Sequence, residues 1–137
     1  MLRWARIKTH AYRAGWPVIP LVADLVLLYL FSTQIGGDVR LGRRVKFPHP
    51  LGIVLGQSAE VGDDCVIFQN VTLGGHGRRQ NKQRYPILKT GLTVYPNSVL
   101  IGGIVLEHDV TVGAGSVVNK SVEEGKTVVG APARVVS

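Results

Sequence analysis

From Ile35 onward a large apolar residue returns every sixth position, and this period constrains the fold more than any other feature of the chain. Counting by six from Ile35 gives Leu41, Phe47 and Ile53, and counting by six from Leu55 gives Val61, Ile67 and Leu73. After a gap the series resumes at Leu88, Val94, Leu100, Leu106, Val112 and Val118. Four places after these anchors stand Val39, Val45, Leu51, Ala59, Cys65, Val71, Leu92, Ser98, Ile104, Val110, Ser116 and Val122, all aliphatic or small. An amphipathic helix needs apolar spacings of three and four, and hairpins need strict alternation with two-residue turns; neither fits. A six-residue period with Gly, Asn or Asp between inward residues is the pattern of a parallel β-helix, in which each hexapeptide forms one side and corner of a prism.

Two irregularities interrupt the count. Between Ile53 and Leu55 the phase slips by two residues, which a bulge or wider corner absorbs. Between Leu73 and Leu88 the gap is fifteen, which predicts an extruded loop over 74–87, "GGHGRRQNKQRYPI", basic through Arg78, Arg79, Lys82 and Arg84. A disordered insertion is one account of such a loop. A functional loop on a rigid scaffold is the better one, because both arms return to register.

Residues 1–34 differ from the rest. Arg3, Arg6, Lys8 and Arg13 alternate with Trp4, Ile7, Ala11 and Ala14 at helical spacing, and Pro17 ends the segment. Residues 18–31, "VIPLVADLVLLYLF", form a second helical stretch, apolar nearly all round but too short to cross a bilayer core of about 30 Å. The reading is a helical segment packed on the protein or a partner subunit, with peripheral membrane contact as the alternative. The chain of 137 residues is one domain's worth, divided as helices over 1–34 and a β-helix over 35–137. Seventeen glycines, nine acidic residues and a net charge of +7 point to an anionic partner, and a lone cysteine, Cys65, excludes a disulfide framework and fits a reducing compartment. Charge is the only feature that favours nucleic acid.

The motifs "HPLGIVLG", "QNVTLGG", "RYP", "VGAGSVV" and "GAPARVV", in this order, resemble the hexapeptide-repeat acyltransferases, and most closely the serine O-acetyltransferases with their relatives that O-acetylate bacterial polysaccharides. The resemblance implies an all-β, left-handed parallel β-helix with a short N-terminal helical segment, assembled as a homotrimer that uses acetyl-CoA as co-substrate and no metal. It makes His49 the general base, suited to the task because an ordinary imidazole titrates at about 6.5. Backbone donors at Gly74 and Gly75 would meet the oxyanion, and Cys65, on an inward position, is core rather than nucleophile. Gly75, Pro96, Ala114, Lys120 and Arg134 match the family's CoA track, with Tyr95 and Pro96 in place of smaller residues.

Departures from the family lie around the acceptor. Gln34 stands where an aspartate orients the base, Pro48 where an aspartate helps hold the ammonium of serine, and Tyr85 where a second histidine lies. Arg84, which matches a carboxylate-gripping arginine, is kept, and His76 lies in the glycine-led arm of the loop. The expectation is therefore a cytoplasmic acetyl-CoA-dependent O-acetyltransferase acting on a saccharide hydroxyl, at most peripheral at the inner face of the membrane. Serine O-acetyltransfer is the first alternative and a non-catalytic β-helical scaffold the second. A zinc enzyme on this scaffold would need converging histidines, and His10, His49, His76 and His108 contain no pair at the needed spacing.

Overall fold

The computed structural model describes residues 1–76 and 84–137. Arg78, Arg79 and Lys82 of the predicted loop lie outside the described residues. Two helices, α1 (Leu2–Arg13) and α2 (Val18–Phe31), precede fourteen short strands. The strands stack into three faces of a prism. The first face holds β1 (Gln34–Ile35), β3 (Val54–Leu55), β6 (Thr72–Gly74), β9 (Val99–Ile101) and β12 (Val117–Val118). The second holds β2 (Arg40–Leu41), β4 (Glu60–Val61), β7 (Ile87–Leu88) and β10 (Val105–Leu106). The third holds β5 (Val66–Ile67), β8 (Thr93–Val94), β11 (Thr111–Val112), β13 (Thr127–Gly130) and β14 (Ala133–Val135). All pairings are parallel except β13 with β14, which close the C-terminal end as a hairpin.

Register gives the length of each coil. Gln34 pairs with Val54, Val54 with Thr72, Thr72 with Val99 and Val99 with Val117, so successive coils advance by 20, 18, 27 and 18 residues. Eighteen is three hexapeptides. The nine extra residues of the long coil fall between β6 and β7, where the sequence breaks its period.

The two extra residues lie elsewhere than the count by six placed them. Lys46 bridges Val66, an offset of 20, whereas Val54 and Thr72 are already 18 apart, so the insertion falls between Lys46 and Val54, in the turn that carries His49. Ile53 is accordingly not an anchor of the first series. It takes the second inward position at 0% exposure, while Leu51, assigned there from the sequence, is 53% exposed. The backbone agrees: the Gln34 N–H donates to Ile53 O, as the Val54 N–H does to Val71 O one coil on.

Inside the prism, Leu55, Ile67, Leu73, Leu88, Leu100 and Leu106 are each at most 1% exposed, and burial of side chains this size stabilises by roughly 1.5–3 kcal/mol apiece. Two inward serines keep their hydroxyls satisfied, Ser98 donating to the carbonyls of Tyr95 and Gly113 and Ser116 accepting from the Gly130 N–H. Corners require left-handed backbone, supplied at Asp64, Asn70, Asn97 and Asp109 by short polar side chains that tolerate it.

The helices cap the N-terminal end. Ala5, Ala11, Ala23 and Leu27 are the buried apolar side chains of the pair. Most of the cationic side chains of α1 are engaged by the protein itself. Arg6 donates to Gly42 O, Arg13 bonds Asp38 and Val39 O, and the buried Lys8 ammonium bonds both Asp24 and Ile35 O. On α2, Val18, Leu21, Val22, Leu25, Leu28 and Tyr29 form an exposed apolar stripe. No helix among the described residues is long and apolar enough to cross a membrane.

Candidate active site

The three edges of the prism differ in chemistry. The edge between the second and third faces carries ion pairs from coil to coil, Arg43 with Asp63 at 3.0 Å and Arg44 with Asp64 at 2.6 Å. Bonds from the Arg43 backbone N–H and guanidinium hold the Asp63 carboxyl below the usual carboxylate range, and the Arg44 guanidinium does the same for Asp64. His108 lies exposed on this edge and accepts the Thr90 N–H. Most of the sequence-assigned site residues lie on the other two edges.

The histidine edge, between the third and first faces, carries Pro48 and His49. Their turn is wider than the corners above it by the two inserted residues, and both side chains are exposed. Its backbone is fixed from three directions: the Leu51 N–H donates to His49 O, the Gly52 N–H to Phe31 O at the end of α2, and the Asn70 N–H to Leu51 O in the next coil. The helical segment thus positions the turn that presents the imidazole. One coil above, the Phe68 ring stands 6.3 Å from the His49 ring at a 40° tilt, and Tyr95 stacks on Phe68 at 5.2 Å and 11°. Pro96 and Ala114 follow on the same edge, the Gly115 N–H donating to Pro96 O.

The loop edge, between the first and second faces, gathers Gly75, His76, Arg84 and Tyr85, the residues that flank 77–83. The His76 N–H donates to Arg84 O at 3.3 Å, and the His76 ring packs over Gly102, where a Cβ would lie 2.4 Å from its Cδ2. The Arg84 side chain is exposed, and Lys120 stands exposed on the top coil of this edge. Tyr85 turns back onto the first face. There it helps line a cavity of about 500 Å³ with Gln34, Gln57, Thr33, Lys8 and Asp24. Arg134 is exposed on β14, paired with Val129 of β13 at the C-terminal end of the third face.

The structure therefore brings Gln34 together with Tyr85, and Gly75 and His76 with Arg84, while Pro48, His49, Pro96 and Ala114 share the other edge of the same face. Among the described residues no hydrogen bond joins Gln34 to His49. Sequence reasoning missed Phe68, and it missed that Tyr95 is stacked upon it. Cys65 is fully buried, its thiol donating to Lys89 O, and burial pushes it above its ordinary pKa. Among the described residues no group of His, Cys, Asp and Glu could hold a metal ion.

Stacked parallel hexapeptides, one coil lengthened by nine residues and a closing C-terminal hairpin define the chain as a left-handed β-helix of the hexapeptide-repeat type. The serine acetyltransferase of Synechococcus elongatus is 38% identical over 131 residues, which cover 96% of this chain and 53% of that protein. The solved serine acetyltransferase from Brucella abortus, in complex with coenzyme A, superposes with a TM-score of 0.93 at 31% identity, covering 98% of this chain and 54% of that one. The enzyme from Neisseria gonorrhoeae in complex with serine gives 0.91 at 29%, covering 99% and 55%. The chain belongs to the hexapeptide-repeat acyltransferases, on their serine acetyltransferase-like side. It spans about half the length of these relatives. No protein-family model matches it.

Proposed function

We propose that the chain is an acetyl-CoA-dependent O-acetyltransferase in which His49 is the general base. The observation that carries this reading is an exposed imidazole on a rigid corner, within a chain 98% of which superposes on an enzyme of this class. A hydroxyl is a weak nucleophile until a base takes its proton, and the thioester carbonyl then receives the oxygen as the thiolate departs. Acetyl-CoA supplies the activated acyl group. Pro96 and Ala114 on the histidine edge, and Gly75 and Lys120 on the loop edge, are the residues we assign to it, with Arg134 as a phosphate partner.

We further propose a trimer. The assigned residues divide between two edges of one face, and bringing the histidine edge against a loop edge takes a neighbouring copy; three copies close the ring. Because acetyl-CoA is an intracellular metabolite, the reading also places the chain in the cytoplasm. Membrane attachment would rest on the exposed stripe of α2, since Arg6, Lys8 and Arg13 are engaged by the protein itself.

Serine is the acceptor that the relatives support, and Arg84 is available for a carboxylate. A second reading, a saccharide hydroxyl, is favoured by one specific observation: the turn holding His49 offers Pro48 and aromatic neighbours where the ammonium of an amino acid would need an anion. Coenzyme A thiol release from acetyl-CoA, measured with serine and with methyl glycosides as acceptors, tests both. Saturable release with either establishes the activity, and release with neither removes it.

A further inference from the structure

We propose that the histidine edge is a stacking platform for the acceptor, and that the acceptor it fits is a saccharide, with Phe68 and Tyr95 taking the C–H face of a pyranose ring beside His49. The inference rests on the acetyl-transfer reading and selects between its two acceptors. Three observations at this edge converge.

The first is the stack itself. Phe68 and Tyr95 lie one coil apart at 5.2 Å and 11°, with His49 6.3 Å below Phe68. Tyr95 is 42% exposed, and in register one coil above it stands Gly113, with the Val129 side chain over the place a Cβ would take. Nearly parallel rings at a solvent-facing corner offer a flat apolar surface with a polar tip, suited to a ligand that is apolar on its face and hydroxylated at its rim.

The second is charge. The corner segments 48–52, 68–71, 95–98 and 113–116 read PHPLG, FQNV, YPNS and GAGS, with no acidic or basic residue among them apart from the imidazole. A zwitterion stripped of water needs a partner for each charge; Arg84 of a neighbouring loop edge could meet the carboxylate, but this edge offers no anion for the ammonium. A neutral polyol needs none.

The third is the supply of neutral hydrogen-bonding groups beside the rings. Asn70 donates through Nδ2 to Asn97 Oδ1 at 3.0 Å, forming an amide ladder parallel to the aromatic one. Between Phe68 and Asn70, the Gln69 Oε1 is buried without a donor among the described residues, although buried acceptors are nearly always paired. The exposed Asn70 and Asn97 amides are the neutral groups this corner offers to a hydroxyl.

A sugar O–H loses its proton to His49, the oxygen forms the new C–O bond to the acetyl carbon, and the C–S bond breaks to release the thiolate of coenzyme A, which takes up the proton that His49 returns. The loop-edge Tyr85 does not serve as the platform, because its ring is pressed against Gly56 and Gly75.

The experiment compares wild type with Tyr95→Gly, Tyr95→Phe and Phe68→Leu, each shown to keep its far-ultraviolet spectrum and melting profile. Steady-state thiol release is measured with acetyl-CoA and either methyl β-D-galactopyranoside, N-acetylglucosamine or serine. Loss of either ring lowers the ratio of saccharide to serine kcat/KM by several-fold to about tenfold, and Tyr95→Phe retains most of it. An equal fall for both acceptors, or a rise in the KM for acetyl-CoA with acceptor kinetics unchanged, overturns the proposal; the second result would give the platform to the donor. Turnover of serine alone by wild type overturns it as well. If neither acceptor is acetylated, the parent reading fails, and saturation-transfer NMR with the same two sugars then decides: transfer lost in Tyr95→Gly supports the platform, and absence of transfer in wild type ends it.

Discussion

Tyr85 lies against Gly56 so closely that a Cβ there would stand 2.3 Å from both Cδ1 and Cε1 of the ring and 2.8 Å from Leu73 O. The contact folds the neck of the loop onto the first face and makes Tyr85 a wall of the cavity shared with Gln34. Gly56→Ala must displace the ring and strain the coil, at a cost of roughly 1–3 kcal/mol. Tyr85→Ala removes the softer of the two clashes, so the double variant should be more stable than the sum of the single losses predicts. Denaturant melts of all four proteins measure this coupling. Strict additivity would show that ring and glycine do not constrain each other.

The paired aspartates of the ion-pair edge set an acid-side prediction. Asp63 and Asp64 titrate below their ordinary range because Arg43 and Arg44 bond the ionised form. Their contribution is fully present above the unfolded carboxylate pKa of about 3.9 and is lost as pH falls through the lower folded values. The Tm gap between wild type and the Asp63→Asn, Asp64→Asn double variant should therefore be widest near neutrality and close below about pH 4. Added salt should narrow it at pH 7, since these pairs face solvent. A gap that widens on acidification would reverse the sign and refute the assignment.

Cys65 gives a test of mechanism as well as packing. The thiol is fully buried and burial disfavours its thiolate, so an alkylating reagent should modify it only as fast as the protein unfolds. Cys65→Ala should cost about 1 kcal/mol and leave acetyl transfer intact. Loss of activity at unchanged stability would mean that an acyl-enzyme forms on sulfur.

The legibility of the sequence follows the range of the interactions. Inward anchors such as Ile67 and Leu100 were visible because burial of one side of each hexapeptide repeats locally. The assignment of Leu51 and Ile53 failed because an insertion of two residues preserves inward parity whichever side of the turn absorbs it. Only the ladder pairing of Lys46 with Val66 places it. The pairing of Phe68 with Tyr95 was hidden for a related reason: 27 residues separate them, and they are neighbours only once nine residues are known to leave the coil. Lys8 stands in the sequence as one of four basic residues at helical spacing, yet it is buried against Asp24 and Ile35 O, a partner set that no helical period announces.

The assignment of the base rests on the difference between two histidines. His49 is exposed, its backbone turn held by bonds that do not involve the ring, so His49→Ala should keep the melting temperature nearly unchanged while transfer falls by about 10² to 10⁴. His76 is placed differently. Its ring covers Gly102, whose backbone φ is +95°, and its N–H closes the loop neck onto Arg84 O. His76→Ala should therefore loosen the neck, raising KM for the acceptor or the donor while the pH dependence of kcat persists. Gln34→Ala tests the remaining link. Since no bond ties Gln34 to His49, its loss should cost less than about tenfold, well short of removing the base. Thiol-release kinetics for the three variants across pH 6 to 9 order them. If His76→Ala abolishes the pH-dependent limb and His49→Ala does not, the base belongs to the loop edge, and the acceptor would then sit over the cavity that Gln34 and Tyr85 share.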